Sequence, residues 1–220
     1  MQAFDPGYSF GKQRIIVEYY YNDSLALLIL LGGIIVNDTE LQNMWYYFLD
    51  LEKELADSSR YIEPEGQENV YSFEFRKIII LACTECETAF KALCEIINNS
   101  KERGNIKDYK EIILSKYPKI VESVVTVSRW HKTIKPFKDW DNEKLEWWDV
   151  HQAIKHDRGS NLKQATYKNA VHALSALYVL IFYLYRASSK YITELRSNYI
   201  TSQYAPKYIV GIYDRELPDF

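Results

Sequence analysis

Cysteine is scarce: the 220-residue chain holds three, Cys83, Cys86 and Cys94, all within one segment. An odd, clustered set excludes a disulfide framework and points to a reducing compartment. Cys83-x-x-Cys86 has the spacing of a metal or redox pair, yet no second such pair and no nearby histidine completes a ligand set. Offsets of three and eleven residues instead place the sulfurs on about one helix face, where free cysteine acts as a small hydrophobe. No metal and no cofactor is expected.

An excess of either charge is missing too. The net charge is −3 and the pI about 5.9, so no global field draws the protein to nucleic acid. The imbalance is local. Residues 129–168 hold nine Lys/Arg against six Asp/Glu, a net of +3 that leaves −6 for the remainder. Three of the four histidines, His131, His151 and His156, fall in the same stretch. A solvated face and a phosphate site both fit this asymmetry.

Long apolar runs are also lacking. Leu25–Leu31 with Ile34–Val36 is interrupted by Gly32-Gly33, and Ala170–Tyr185 falls short of the ~20 residues a bilayer demands while containing His172 and Ser175. The start, MQAFDPGYSFGKQR, has no signal-peptide character. Both runs read as core elements, no membrane partner is expected, and the expected location is the cytoplasm. Walker loop, dinucleotide fingerprint, GxSxG elbow and HExxH are all missing.

What is present is aromatic. Tyrosine reaches 19 residues and tryptophan 5, side chains that fill a core and its rim or line interfaces and grooves. A hydrophobic share of 47% excludes long disorder and suits one domain with a core of ordinary size.

The pattern along the chain predicts a mainly α fold: a helical bundle over 38–190, with a small β appendage over 1–37 and a tail over 191–220 packing on the bundle. Gly32-Gly33 between apolar runs signals an antiparallel hairpin or meander, with a short buried helix over Ser24–Leu31 as the rival. From Asn37, apolar residues at Leu41, Met44, Trp45, Phe48, Leu51 and Leu55 give an amphipathic helix ending near Asp57. Ser58–Val70 is a loop. Ser72 caps a long helix with core positions Phe75, Ile79, Ala82, Cys86, Phe90, Leu93 and Ile97, and Glu87–Lys91 sits at a favourable spacing. Ile106–Lys116 is a short helix stopped before Pro118. Val121–Val127 is a strand or extended connector, and His131–Trp140 is irregular. Glu143–His156 is the next helix, closed by Gly159. Ser160 or Asn161 then caps a helix over Leu162–Arg186 whose apolar centre belongs in the middle of the fold. Tyr208–Tyr213 reads as a strand.

The stretch Glu146–Arg158, EWWDVHQAIKHDR, gathers most of the chemistry-bearing side chains. On a helix, His156 shares a face with Gln152, Asp149 and Trp148, and Lys155 shares one with His151 and Trp148. Lys155, His156 and Arg158 also complement a helix C-terminus, a purely structural reason to stand there. The functional alternative sets imidazole, ammonium and guanidinium beside a wall of Trp147 and Trp148. Such a group can hold a phosphate and move a proton near neutral pH.

The helix YSFEFRKIIILACTECETAFKALC, the later WWDVHQAIKHDR and the long apolar helix together resemble the HEPN-like superfamily over roughly Leu41–Arg186. These are bacterial helical-bundle proteins of toxin–antitoxin and phage-defence type. The resemblance implies a metal-independent endoribonuclease, acting through a histidine that follows an arginine after a gap of four to six residues. His156 matches that histidine, while the three positions open to the arginine hold Asp149, Val150 and His151. His151 and Gln152 stand where related sequences often show Tyr-Asn. On this reading His156, Arg158 and Lys155 carry catalysis, and His151, Gln152, Trp147 and Trp148 bind. The implied partners are RNA and a second copy of the chain forming a homodimer, or else a partner protein. The competing expectation is a catalytically silent HEPN-like module that binds RNA, a nucleotide or a partner protein.

Overall fold

A computed structural model describes residues 38–98, 104–188 and 200–202. The elements in chain order are helices α1 (Asp38–Ser58), α2 (Phe73–Asn98) and α3 (Ile106–Lys116), strands β1 (Val125–Val127) and β2 (Lys132–Ile134), helices α4 (Glu146–His156), α5 (Arg158–Asn161) and α6 (Tyr167–Ala187), and strand β3 (Ile200–Ser202). The protein is a mainly helical bundle with a small antiparallel sheet ordered β2-β1-β3. The meander or helix expected within 1–37 and the strand expected at Tyr208–Tyr213 lie outside the described residues.

Each long helix forms where its sequence supplies an apolar stripe and a start signal. Leu41, Met44, Trp45, Phe48, Leu51 and Leu55 of α1 are all buried. Ser72 opens α2, its Oγ accepting from the Phe75 N–H at 3.0 Å. Its anticipated core positions are buried as far as Leu93, with Ile97 half-buried at the end, and Cys83, Cys86 and Cys94 are free thiols inside the core. The Lys91–Glu87 pair closes at 2.7 Å on the outer face. Helix α3 carries a capping box: the Asn105 side chain accepts from Lys107 N–H while the Asp108 carboxylate accepts from Asn105 N–H.

The central element is α6. Sixteen of its 21 residues are buried, because α1, α2 and α4 all pack against it. Its 18-residue apolar window has a mean hydropathy of 1.4, enough by length and composition to cross a membrane, yet 78% of that window is covered within the bundle. Against α1, the Tyr178 ring meets Phe48 at 5.4 Å, and Phe48 stacks on Trp45 at 5.0 Å.

Phe90 joins the remaining pieces. Its ring is in contact with Tyr109 of α3 at 5.9 Å, Trp148 of α4 at 5.8 Å, and Phe137 and Trp140 of the β2–α4 connection at 6.3 and 5.4 Å. Aromatic pairs at these separations add to the area they bury, so one side chain ties three segments to α2.

Four boundaries differ from the sequence expectation. The last long helix begins at Tyr167 and not Leu162, because Thr166 caps it: its Oγ1 accepts from the Asn169 N–H at 3.2 Å. Residues 158–164 form the separate turns of α5 and a 3-10 helix, opened by Asp157. Helix α4 starts at Glu146, since the chain at 139–143 is held in a turn by Asp139, whose φ is +58°. The segment expected to be irregular contains β2, because His131 adopts φ +50° and turns the chain back so that Val127 pairs with Lys132. Within Val121–Val127, expected as a strand or extended connector, the strand is confined to Val125–Val127, a 3-10 turn occupying Pro118–Glu122.

Phe90→Ala is expected to lower the unfolding free energy by about 3–5 kcal/mol, the usual cost of a large cavity at a buried aromatic. Phe73→Ala, at a ring 65% exposed, is expected to shift it by less than about 0.5 kcal/mol. Urea denaturation of the two variants checks the ranking, and equal effects would remove Phe90 from its central role.

Candidate functional site

Helix α4 divides the anticipated site residues between two faces. Trp147 is 2% exposed and donates its indole N–H to the Pro136 carbonyl at 2.8 Å. Trp148 is 6% exposed and meets Phe90 edge-on. His151, one turn further along the same face, is 1% exposed with its ring 5.3 Å from Trp148. These three side chains point into the bundle. Lys155 and His156 are exposed on the last turn, and Gln152 is half-buried between the two sets. A wall of indoles beside the cations is therefore not what the helix presents: both tryptophans belong to the core. The side chain of Arg158, which opens α5, lies outside the described residues.

His151 is chemically distinct from His156. Its Nδ1 stands 3.3 Å from the Gln152 amide nitrogen, a contact in which the amide donates when the ring is in its Nε2–H form. That Nε2 is buried and has no hydrogen-bond partner among the described residues. Burial first, then the charges of Lys155 and His156, push its pKa down to about 4 against an opposing pull from Glu87. His151 is consequently an uncharged packing residue at neutral pH.

The end of α4 is held from several sides. Asp157 departs from helical geometry, its N–H still bonding the Ala153 carbonyl. The Asn161 amide reaches back to the Ala153 and Asp157 carbonyls at 3.3 and 3.1 Å. The Ile154 carbonyl accepts from the Arg76 guanidinium, Nη2 standing 3.4 Å away. Asp157 is turned to the next helix, Oδ1 accepting from Ser160 N–H at 3.1 Å, and that backbone hydrogen bond holds its carboxyl below the ordinary range. Arg76, from the first turn of α2, is the residue that linear reasoning passed over. It lies 80 positions before His156 and belongs to no spaced motif, so only the packing of α2 against α4 reveals it.

A second polar group lies at the start of α6. Lys168 binds Glu146 at 3.0 Å, while His172 sits 6.5 Å edge-on to Trp130. Burial, helped by the charge of Lys168 and opposed by Glu146, pushes the His172 pKa down to about 4. Glu68 accepts from the Trp130 indole at 3.3 Å and pairs with Lys132, whose hydrogen bond is the main cause of its strongly lowered pKa. His131 occupies the left-handed position of the β1–β2 turn. Among the described residues, no three His, Cys, Asp or Glu side chains group so as to hold a metal ion. Compared with protein-family models, curated proteins and solved structures, the chain matches none.

The two lowered histidines set an acid limit on stability. Folded pKa values near 4 lie below the 6.5 of a free imidazole, so the unfolded chain binds more protons throughout that window. Stability from these groups is full above about pH 6.5 and is lost as pH falls towards 4. Urea midpoints measured across this range should fall with acid in the wild type and less steeply in His172→Gln. Parallel curves would show that His172 does not contribute.

Proposed function

We propose that this protein is a HEPN-like endoribonuclease of bacterial defence or toxin type, with its reactive site on the exposed last turn of α4. The observation that carries this reading is the pairing of an exposed His156 imidazole with an exposed Lys155 ammonium, neither in an ion pair among the described residues. The buried His151 is not available to substrate, so the proton chemistry falls to His156.

The reaction is in-line attack of a ribose 2′-hydroxyl on the adjacent phosphorus. The 2′-oxygen bonds to phosphorus and the bond to the 5′-oxygen breaks, leaving a cyclic phosphate and a free 5′-hydroxyl. His156 serves as the acid–base residue that moves the proton between these oxygens. Lys155 and Arg158 offset the charge that builds on the phosphorane oxygens. Functional pairing of two copies, as the resemblance implies, would bring two such turns together.

A second reading has its own observation. Asp149, Val150 and His151 occupy the positions from which an arginine would act, and His151 is buried. That favours a silent module which binds RNA, a nucleotide or a protein without cutting. Incubation of total tRNA and mRNA with the protein in the presence of a chelator separates the two. Wild-type protein is expected to cleave, and His156→Ala to lose at least about a hundredfold in rate with its unfolding midpoint retained. Equal product from both proteins sinks the role of His156. RNA retained without cleavage supports the silent module.

A further inference from the structure

We infer that Arg76, carried by α2, completes an anion site with Lys155 and His156 at the end of α4, and that its ligand is a phosphate group. The inference deepens the RNA reading above, supplying from another helix the guanidinium that α4 lacks at the positions open to it. The geometry begins with one contact: Arg76 Nη2 donates to the Ile154 carbonyl at 3.4 Å, one residue before Lys155 and two before His156. This is a long, weak hydrogen bond. It uses one of the five N–H groups of the guanidinium, and Nε is shielded from water with no partner.

Capping of α4 accounts for only part of this cation set. A helix C-terminus carries about half a negative charge, less than the two full charges of Arg76 and Lys155. The nearest carboxylate in sequence, Asp157, is engaged with the Ser160 N–H. No ion pair joins Arg76, Lys155 or His156 to a carboxylate among the described residues, whereas Lys53, Lys77, Lys91, Lys132 and Lys168 each have one. Basic side chains from two helices therefore come to this end of α4 with Asp157 as the adjoining carboxylate, its Oδ1 already accepting from Ser160. A guanidinium is the donor best matched to two oxygens of a phosphate, and the ammonium and imidazole add point contacts.

The test titrates the full-length protein with inorganic phosphate, following affinity by calorimetry and the His156 imidazole by NMR, its signal assigned by its loss in His156→Gln. Wild type is expected to bind saturably with a shift at His156. Arg76→Gln should weaken binding about tenfold or more, Arg76→Lys by less, and Lys107→Gln, which removes one charge on α3, by little. Thermal melting establishes that each variant is folded. Adenosine monophosphate and a short single-stranded oligoribonucleotide run as parallel arms. Tighter binding of the strand assigns the ligand to an RNA backbone, tighter binding of the nucleotide to a free phosphate ester. Unchanged phosphate affinity in folded Arg76→Gln, or a titration that leaves the His156 signal unmoved, overturns the site. Arg76-dependent phosphate binding in a protein that never cleaves RNA keeps the site and removes the nuclease. Cleavage at wild-type rate by Arg76→Gln with unchanged phosphate affinity does the reverse.

Discussion

The placement of α4 rests on the aromatic cluster around Phe90. That ring is fully buried and bears on Tyr109, Phe137, Trp140 and Trp148, residues from α3, the β2–α4 connection and α4. An 11-residue helix is marginal alone, so α4 depends on burying one face against this cluster. Trp147 adds direction, because its indole N–H must find a partner once buried and takes the Pro136 carbonyl. Together these contacts set both the rotation of α4 about its axis and the position of its end.

The exposure of the last turn follows from that rotation. With Trp147, Trp148, Val150, His151 and Ile154 turned inward, Lys155 and His156 on the last turn are left in solvent. The same packing removes His151 from chemistry: in a low-dielectric environment beside the Lys155 ammonium, its neutral form is strongly favoured. Two histidines five positions apart on one helix thereby differ in kind. The face each occupies decides this, since both are the same residue with the same intrinsic basicity.

The surroundings of α4 are held by a second set of contacts, mostly polar. The loop before α2 is stitched to the start of α6 by Tyr167 N–H to Val70 carbonyl, Lys168 N–H to Glu68 carbonyl and Ser72 N–H to Ala165 carbonyl. Glu68 carries the connection on to Trp130 and Lys132 of the small sheet. The first turns of α2 and α6 are thus registered against each other. It is the first turn of α2 that brings Arg76 to the Ile154 carbonyl. The contact of Arg76 with the end of α4 is a consequence of how two helix starts and one helix end are locked together.

By itself the sequence determined the helical class, the buried faces of α1 and α2, the free cysteines, the Glu87–Lys91 pair and the span Ile106–Lys116. All of these depend on periodicity, caps and charges within a few residues of each other, which a linear reading contains. It also marked Glu143–His156 as a helix rich in His and Lys. Only the tertiary structure decided which of those side chains face water. Lys155 lies on the helical wheel between Trp148 and His151, yet it is exposed while both of those are buried. Tertiary contacts likewise moved the start of α6 to Thr166 and brought in Arg76. No local pattern encodes the meeting of residues 76 and 154, because that proximity arises when α4 buries its apolar face against α2.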